Sequence, residues 1–140
     1  MVEDENKKRV LDLFKKSNLA VLSTVASENR SESAIVEMYA KDNLELIFDT
    51  LPHFRKYQNL KNNPNVSVVI GWEPATIQYE GVAFELNGSE LEEYKKVHYA
   101  KFPEAVKFEK LGVRFFKIVP KWIRYTDVSK HLWETFEIKL

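Results

Sequence analysis

Residues 48–72 read FDTLPHFRKYQNLKNNPNVSVVIGW, and this stretch predicts a strand, a short helix and a second strand. The helix is predicted over 52–62 because apolar side chains recur there every three residues, at Phe54, Tyr57 and Leu60. Thr50 is a candidate cap for this helix, and Pro52 fits its first turn. An Asn-Pro turn ends the helix, so the apolar run 66–72 is predicted to form the next strand.

The charges in this stretch are unevenly distributed. Residues 50–72 contain no Asp or Glu, although acids make up 21 of the 140 residues, and their cations are Arg55, Lys56 and Lys61. Arg55 and Lys56 lie near the N-terminus of the predicted helix, where the helix dipole repels a cation and attracts an anion. Together with Thr50 and free backbone N–H groups they would form a phosphate site. A solvated basic turn without a ligand is the alternative, and charge placement by itself does not decide between them.

The rest of the chain predicts a mainly β protein of the α+β class. A first helix is expected to be capped by Asp4, and the capping-box pattern Ser89-x-x-Glu92 predicts a helix that begins at Ser89. Seven strands are predicted, over 19–25, 33–39, 44–48, 66–72, 76–86, 113–119 and 122–126. Few helices separate these strands. We therefore expect an antiparallel sheet or barrel of six to seven strands with short flanking helices, in one domain over residues 1–140.

Two residues mark irregular points in the predicted strands. The apolar phase of strand 76–86 changes at Gly81, which indicates a bulge or a barrel corner. Pro120 lies between the last two predicted strands and is expected to separate them.

Composition disfavours several classes of protein. The 21 basic and 21 acidic residues balance to zero net charge, whereas nucleic-acid-binding domains usually carry a basic surplus. Cysteine is absent, which excludes disulfides, thiolate metal sites and thiol catalysis. No apolar run approaches the ~20 residues of a membrane span, and the polar N-terminus does not resemble a signal peptide. We therefore expect a cytoplasmic protein that binds neither nucleic acid nor membrane.

No protein-based catalytic centre is visible in the sequence. It contains no nucleophile elbow, P-loop, dinucleotide-binding or zinc-protease motif. His53, His98 and His131 are far apart and have no second ligand at metal spacing, so each is expected to have an ordinary packing or surface role. If the protein is an enzyme, a cofactor is expected to supply the chemistry.

Three segments carry a family resemblance. The first is Phe48-Asp-Thr50 followed by Arg55-Lys-Tyr-x-Asn-Leu60 and Asn63-Pro-x-Val-Ser-Val68. The others are the opening strand Leu19-Ala-Val-Leu-Ser-Thr-Val25 and the long strand containing Gln78-Tyr-Glu-Gly-Val-Ala83. These segments resemble the pyridoxamine 5'-phosphate oxidase-like family of FMN-binding split β-barrels. The resemblance is close over residues 19–86 and continues more loosely to residue 126.

The resemblance implies roles for nine residues. The family positions that match Thr50, Arg55 and Lys56 hold the FMN phosphate. The positions beside the isoalloxazine ring match Ser33, Ala34, Ile35 and Val36, and a partner subunit usually completes the pocket. Two residues of the last predicted strand, Trp122 and Arg124, resemble positions that face the flavin or the substrate. A Trp on a terminal strand is also typical of a core or a dimer interface, so that alternative stays open.

The end of the chain departs from a true pyridoxamine phosphate oxidase. Residues 122–131 read WIRYTDVSKH and lack the Arg-x-His pair that binds the substrate phosphate in those longer enzymes. We therefore do not expect vitamin B6 oxidation. The resemblance implies instead an FMN-dependent oxidoreductase that transfers electrons between a reduced donor and a small-molecule substrate.

Two other functions remain as alternatives. The first is a non-catalytic protein of the same fold that binds heme, deazaflavin or another ligand. The second is a small barrel that binds single-stranded nucleic acid, which the zero net charge disfavours. A homodimer is expected in the leading interpretation, because a sheet with so many aromatic residues would leave an apolar face uncovered in a monomer.

Overall fold

The computed structural model describes residues 2–140, which form three α-helices, two 3-10 helices and eight strands. The α-helices are α1 (Val2–Lys16), α2 (Arg55–Asn62) and α3 (Gly88–Lys101), and the 3-10 helices span Ser27–Asn29 and Pro103–Leu111. The strands are β1 (Leu19–Val25), β2 (Ser31–Glu37), β3 (Tyr39–Ala40), β4 (Leu46–Thr50), β5 (Asn65–Gly71), β6 (Ala75–Glu85), β7 (Arg114–Asp127) and β8 (Glu134–Lys139).

All eight strands belong to one antiparallel sheet. The strand order is β2-β1-β5-β6-β7-β4-β3, and β8 also pairs with β7. The sheet branches at β7 because this strand is 14 residues long. Its first half pairs with β4, its second half pairs with β8, and β6 pairs with most of its length. The sheet curls into a half-barrel, which confirms the predicted antiparallel α+β class.

The hydrophobic core has two parts that meet at β4. In the main part, Phe14 of α1 packs edge-on against Tyr79 with ring centroids 6.0 Å apart. The Tyr79 hydroxyl donates to the Leu44 carbonyl at 2.8 Å, so its polar end is satisfied inside the core. A smaller cluster forms where α3 packs on the sheet, and it consists of Ile47, Leu86, Tyr94 and Phe115. Because strand side chains alternate between faces, β4 contributes Phe48 to the main core and Ile47 to the cluster under α3.

The helix predicted over 52–62 begins later, at Arg55. Thr50 is not its cap, because Thr50 is the last residue of β4. Phe54 takes the N-cap position and makes no side-chain cap hydrogen bond. Its N–H donates to the Leu51 carbonyl at 3.1 Å, which closes a turn before the helix. Pro52 therefore belongs to that turn and not to the first turn of α2.

The last two predicted strands are one continuous strand, β7, which passes through Pro120. Pro120 pairs with Gly81, next to the point where the register of β6 and β7 shifts. A bulge disrupts the ladder locally, so the missing N–H of proline is tolerated there. The irregularity predicted at Gly81 is confirmed as a register shift, but its extra residue is Lys121 of β7, and β6 keeps burying its odd-numbered residues from Ala75 to Ala83. The predicted break at Pro120 is wrong.

Other predicted boundaries also change. Helix α1 begins at Val2, so Asp4 lies in its first turn and is not its cap. Helix α3 begins at Gly88 with Asn87 as N-cap and no side-chain cap hydrogen bond, so the capping box at Ser89 is not formed. Strand β4 starts at Leu46 because Leu44 occupies the preceding turn, with φ of 69°. Strand β8 was not predicted, although residues 134–139 alternate between polar and apolar side chains.

Candidate functional site

A groove runs between β2, the end of β4 and the N-terminus of α2. It consists of two adjoining cavities of about 290 Å³ and 230 Å³, which share Phe54 and Lys56. We call the first the basic cavity; it is lined by Leu22, Thr24, Glu32, Ser33, Ala34, His53, Phe54, Arg55 and Lys56. We call the second the apolar cavity; it is lined by Ile35, Val36, Glu37, Asp49, Thr50, Leu51, Phe54, Lys56, Phe108 and Val113.

The groove brings together seven of the nine residues for which the resemblance implies a role. The basic cavity contains Ser33, Ala34, Arg55 and Lys56, and the apolar cavity contains Ile35, Val36, Thr50 and again Lys56. These residues come from β2, β4 and α2, which are separated in sequence and become neighbours only when the sheet curls. Their contact with a cofactor stays a prediction.

Trp122 and Arg124 do not line the groove. Both lie in the second half of β7, where β8 pairs with it. The Trp122 indole N–H donates to Glu137 Oε1 at 2.9 Å, and Arg124 Nη2 donates to Glu137 Oε2 at 2.7 Å. Within one chain these two side chains are therefore held by β8, away from the other seven.

The Arg55 guanidinium is already paired. Its Nη1 lies 2.8 Å from Oε2 of Glu32, a mostly buried carboxylate on β2. Asn59 donates to the other oxygen of Glu32 at 2.8 Å, and Arg30 lies 3.6 Å away. Residues 50–72 contain no acid of their own, but in the folded protein Glu32 of β2 lies beside them. Arg55 is therefore not a free cation in the basic cavity.

Lys56 is available for a ligand, unlike Arg55. It forms no ion pair within residues 2–140 and lies half-buried, with Nζ 5.0 Å from the centre of the Phe54 ring. Burial lowers the pKa of its ammonium group, and the nearby Asp49 carboxylate opposes that effect. A half-buried ammonium without a partner at this position favours an anion.

The N-terminus of α2 reinforces the preference for an anion. The N–H groups of Arg55 and Lys56 have no acceptor within the helix, the N–H of Tyr57 donates to the Phe54 carbonyl at 3.1 Å, and Phe54 supplies no side-chain cap. The Thr50 hydroxyl makes only a long contact of 3.4 Å to the Leu51 carbonyl. Lys56, these N–H groups and Thr50 therefore fit a phosphate, with Arg55 shared between a ligand and Glu32.

Three acids line the groove, Glu32, Glu37 and Asp49, and none was predicted from the sequence, although two of them leave a signal there. Glu32 alternates with Ala34 and Val36 on β2, so it points to the same side as a buried residue. Asp49 follows three consecutive buried apolar residues of β4. A charged residue in an apolar strand position needs a partner or a function, and this rule would have selected both.

Metal and membrane sites are not found among residues 2–140. No three His, Asp or Glu side chains of this part of the chain lie close enough together to hold a metal ion. None of the helices it contains combines the length and the apolar character that crossing a bilayer requires.

Comparison with known proteins agrees with the sequence motifs. The family model described as pyridoxamine 5'-phosphate oxidase matches residues 7–127. The chain belongs to this family. The match spans most of the sheet and the whole groove, but it stops before β8. The comparison with curated proteins found no match.

Solved structures with the same fold have different ligands in their names. General stress protein 26 from Bacillus anthracis str. Sterne has a TM-score of 0.73 and 21% identity, with 97% of this chain and 99% of that chain covered. An FMN-binding protein related to pyridoxamine 5'-phosphate oxidase, from Nostoc punctiforme PCC 73102, has a TM-score of 0.67 and 10% identity, with 99% and 93% covered. A heme-binding protein from Mycobacterium smegmatis has a TM-score of 0.76 and 16% identity; 95% of this chain covers 57% of that one. At these identities the likeness concerns the fold.

Proposed function

We propose that the protein binds FMN in the groove and serves as a flavin-dependent oxidoreductase for a small-molecule substrate. The observation that carries this proposal is the unpaired Lys56 ammonium at the uncapped N-terminus of α2, directly beside the apolar cavity. An anion site joined to an apolar cavity suits a ligand with a phosphate at one end and a flat ring system at the other. The name of the Nostoc punctiforme protein supports FMN as that ligand.

The roles of this chain's residues follow from their positions. Lys56, the N–H groups of α2 and Thr50 would hold the phosphate. Ile35, Val36 and the other apolar residues would shield the ring from water, and bound FMN would supply electron or hydride transfer. Glu32 limits the contribution of Arg55, because the Arg55–Glu32 ion pair competes with any contact between Arg55 and a phosphate.

The proposal is tested by the affinities of FMN and riboflavin, which differ by the phosphate. We expect Lys56→Ala to weaken FMN binding about ten- to a hundredfold and riboflavin binding little, because a charge-assisted contact is worth about 1.5–3 kcal/mol. We expect Glu32→Gln to have the opposite effect and tighten FMN binding, because it releases Arg55. Fluorescence quenching of both flavins measures these changes.

Lys61→Ala is the matched control. Lys61 lies on the same helix and carries the same charge, but it pairs with Glu85 at 3.0 Å and lines neither cavity. It should leave both affinities unchanged. If Lys56→Ala weakens FMN and riboflavin binding equally, the phosphate does not bind at the N-terminus of α2. If the wild-type protein binds neither flavin, the proposed function is wrong.

Heme binding without turnover is the second candidate, and the name of the Mycobacterium smegmatis protein favours it. His53 lines the basic cavity and is exposed, so it is the side chain that this candidate would use as an iron ligand. The absorption spectrum of the purified protein separates the two candidates, because oxidised flavin and heme have different bands.

We also propose that the protein is a homodimer, formed through the outer face of the sheet. Ile35, Val21 and Val69 lie in one row across β2, β1 and β5, and all three are exposed. Ile35 also lines the apolar cavity, so a second copy on this face would cover the groove. Arg124 continues the same row on β7, which means that a partner packed on this face can bring its own Arg124 and Trp122 toward the groove.

A further inference from the structure

The buried polar atoms without a hydrogen-bond partner in residues 2–140 lie in one place. They are Oδ2 of Asp49, Nδ1 and Nε2 of His98 and the hydroxyl of Tyr99. Asp49 lies on β4, and the other two residues lie on α3, which packs over that strand. Buried polar groups without partners are rare in folded proteins and costly, so four such atoms together call for an explanation beyond packing.

His98 is completely buried behind the groove. Its ring is packed by Phe102 and Phe115, with centroids 5.0 Å and 5.5 Å away. Its Nε2 lies 3.5 Å from Oδ2 of Asp49, which is too long for an N–H···O hydrogen bond. The Asp49 side chain keeps 17% of its surface exposed and lines the apolar cavity, so one carboxylate connects that cavity with the buried imidazole.

The interaction between His98 and Asp49 depends on whether the imidazole is neutral or protonated. Neutral imidazole offers one donor and one acceptor, and here both are unmet; protonated imidazole offers two donors and a positive charge that would draw in the Asp49 carboxylate. The other charged or titratable groups nearby are Tyr99 on α3, Glu109 beside Tyr99, which pairs with Lys95 at 2.7 Å, and Lys56, which interacts with Asp49. Lys56 opposes a positive charge on His98, so an anion that neutralises Lys56 would favour it.

We propose that Asp49 and His98 together bind one proton, and that they take up this proton when an anion binds at Lys56. His98 is the positioning residue that holds one side of Asp49, while Asp49 is the residue that meets the ligand. This inference rests on the anion site of the proposed function. It predicts that ligand binding and proton uptake are coupled through residues that lie outside the phosphate contacts.

Calorimetric titration of FMN at pH 7 in buffers with different ionisation enthalpies measures the number of protons taken up. We expect the wild-type protein to take up more protons per FMN than His98→Phe does, because the buried imidazole is the group that holds the proton in this proposal. Titration of the FMN phosphate itself contributes equally to both proteins and cancels in the difference. Asp49→Asn should lose the same uptake and provides a second variant if His98→Phe does not fold.

His131→Gln is the control for an exposed imidazole outside the groove, because His131 is exposed and lines neither cavity. This variant should retain the uptake. Loss of the uptake in His131→Gln, or equal uptake in wild type and His98→Phe, would overturn the pair.

Sodium sulfate, which has no titrating proton near pH 7, separates the failure of this inference from that of the proposed function. We expect sulfate to shift the ring NMR signals of His98 toward those of imidazolium in the wild type and not in Lys56→Ala; the signals are assigned by their absence from His98→Phe. If sulfate shifts the His98 signals but FMN does not bind, the Asp49–His98 proposal stands and FMN is not the ligand. If FMN binds with neither proton uptake nor a shift, the proposed function stands and the Asp49–His98 proposal is wrong.

Discussion

At the scale of single residues, Gly81 determines how closely β6 and β7 approach each other. A Cβ atom at this position would lie 2.5 Å from the backbone oxygen of Val119 and 2.7 Å from Cγ2 of Ile118. The first contact is with backbone, which cannot rotate away as a side chain can. The requirement for glycine is therefore steric, and it coincides with the bulge that lets Pro120 remain inside β7.

We expect Gly81→Ala to destabilise the protein by about 1–3 kcal/mol, and Gly81→Val by more, because the two strands must separate to accommodate the side chain. Thermal or urea unfolding measures the change. Gly112→Asn is the control, since nothing lies within 4 Å of a Cβ at Gly112 and Asn tolerates its left-handed backbone. Unchanged stability of Gly81→Ala would show that the strands can shift at no cost.

At the scale of elements, the Glu85 carboxylate is one of the groups that hold α2 against the sheet. Glu85 at the end of β6 accepts hydrogen bonds from the Tyr57 hydroxyl and from Lys61, both on α2, at 3.0 Å, and it pairs with Arg114 of β7 at 3.1 Å. Burial raises the pKa of Glu85, but the hydrogen bonds from Lys61, Tyr57 and Arg114 outweigh it and leave the pKa below its ordinary value of 4.5. Glu85 thus helps to hold the helix whose N-terminus forms the anion site.

The lowered pKa of Glu85 gives the stability a defined dependence on pH. A carboxyl whose pKa is lower in the folded state stabilises the protein fully above its unfolded pKa, and the contribution disappears as the pH falls through the folded pKa. We expect the wild type to lose this contribution below about pH 5. Glu85→Gln should be less stable at pH 7 and lose less between pH 7 and pH 3, as measured by urea unfolding.

Glu92→Gln is the control for this measurement. Glu92 is exposed on α3 and forms no ion pair within residues 2–140. Its substitution should leave the profile of stability against pH close to that of the wild type. A Glu85→Gln profile parallel to the wild-type profile would mean that the hydrogen bonds of Glu85 do not distinguish the folded from the unfolded state.

At the scale of the whole molecule, the outer face of the sheet exposes a patch of four neighbouring apolar side chains. Leu19 and Ile35 are 57% and 67% exposed, and Val21 and Val69 complete the same patch. Sedimentation equilibrium at micromolar concentration is expected to give twice the 16.4 kDa mass of one chain. A mass of one chain under these conditions would contradict the homodimer.

Charged substitutions on two faces locate the dimer contact. Val69→Lys places a charge at the β5 end of the patch and should produce monomers, because an unpaired charge is costly to bury. Val2→Lys makes the same change at an exposed position of α1, away from the patch, and should leave the dimer intact. A dimer that tolerates Val69→Lys would have to use another surface.

Local sequence patterns were sufficient for the class of fold and for the position of one irregular point in it. Apolar residues predicted seven strands, because their spacing depends on side chains within one strand. The register does shift at Gly81, but β6 keeps its alternation of buried residues through Gly81, and the extra residue is Lys121 of β7. The exact start of α2 and the continuity of β7 depend on neighbouring strands. The bulge lies in β7, where Lys121 has no partner on β6, and the local pattern of residues 113–126 did not indicate that Pro120 could stay inside the strand.

The candidate site divides in the same way. The sequence by itself determined that Thr50, Arg55 and Lys56 lie close together near a helix N-terminus, because they are neighbours in the chain. Only the tertiary structure decided that Arg55 is neutralised by Glu32, that Lys56 is left for a ligand, and that His98 lies behind Asp49. The physical reason is that electrostatic partners are chosen by distance in space, and the curled sheet brings residues from distant strands and helices within a few ångströms of one another.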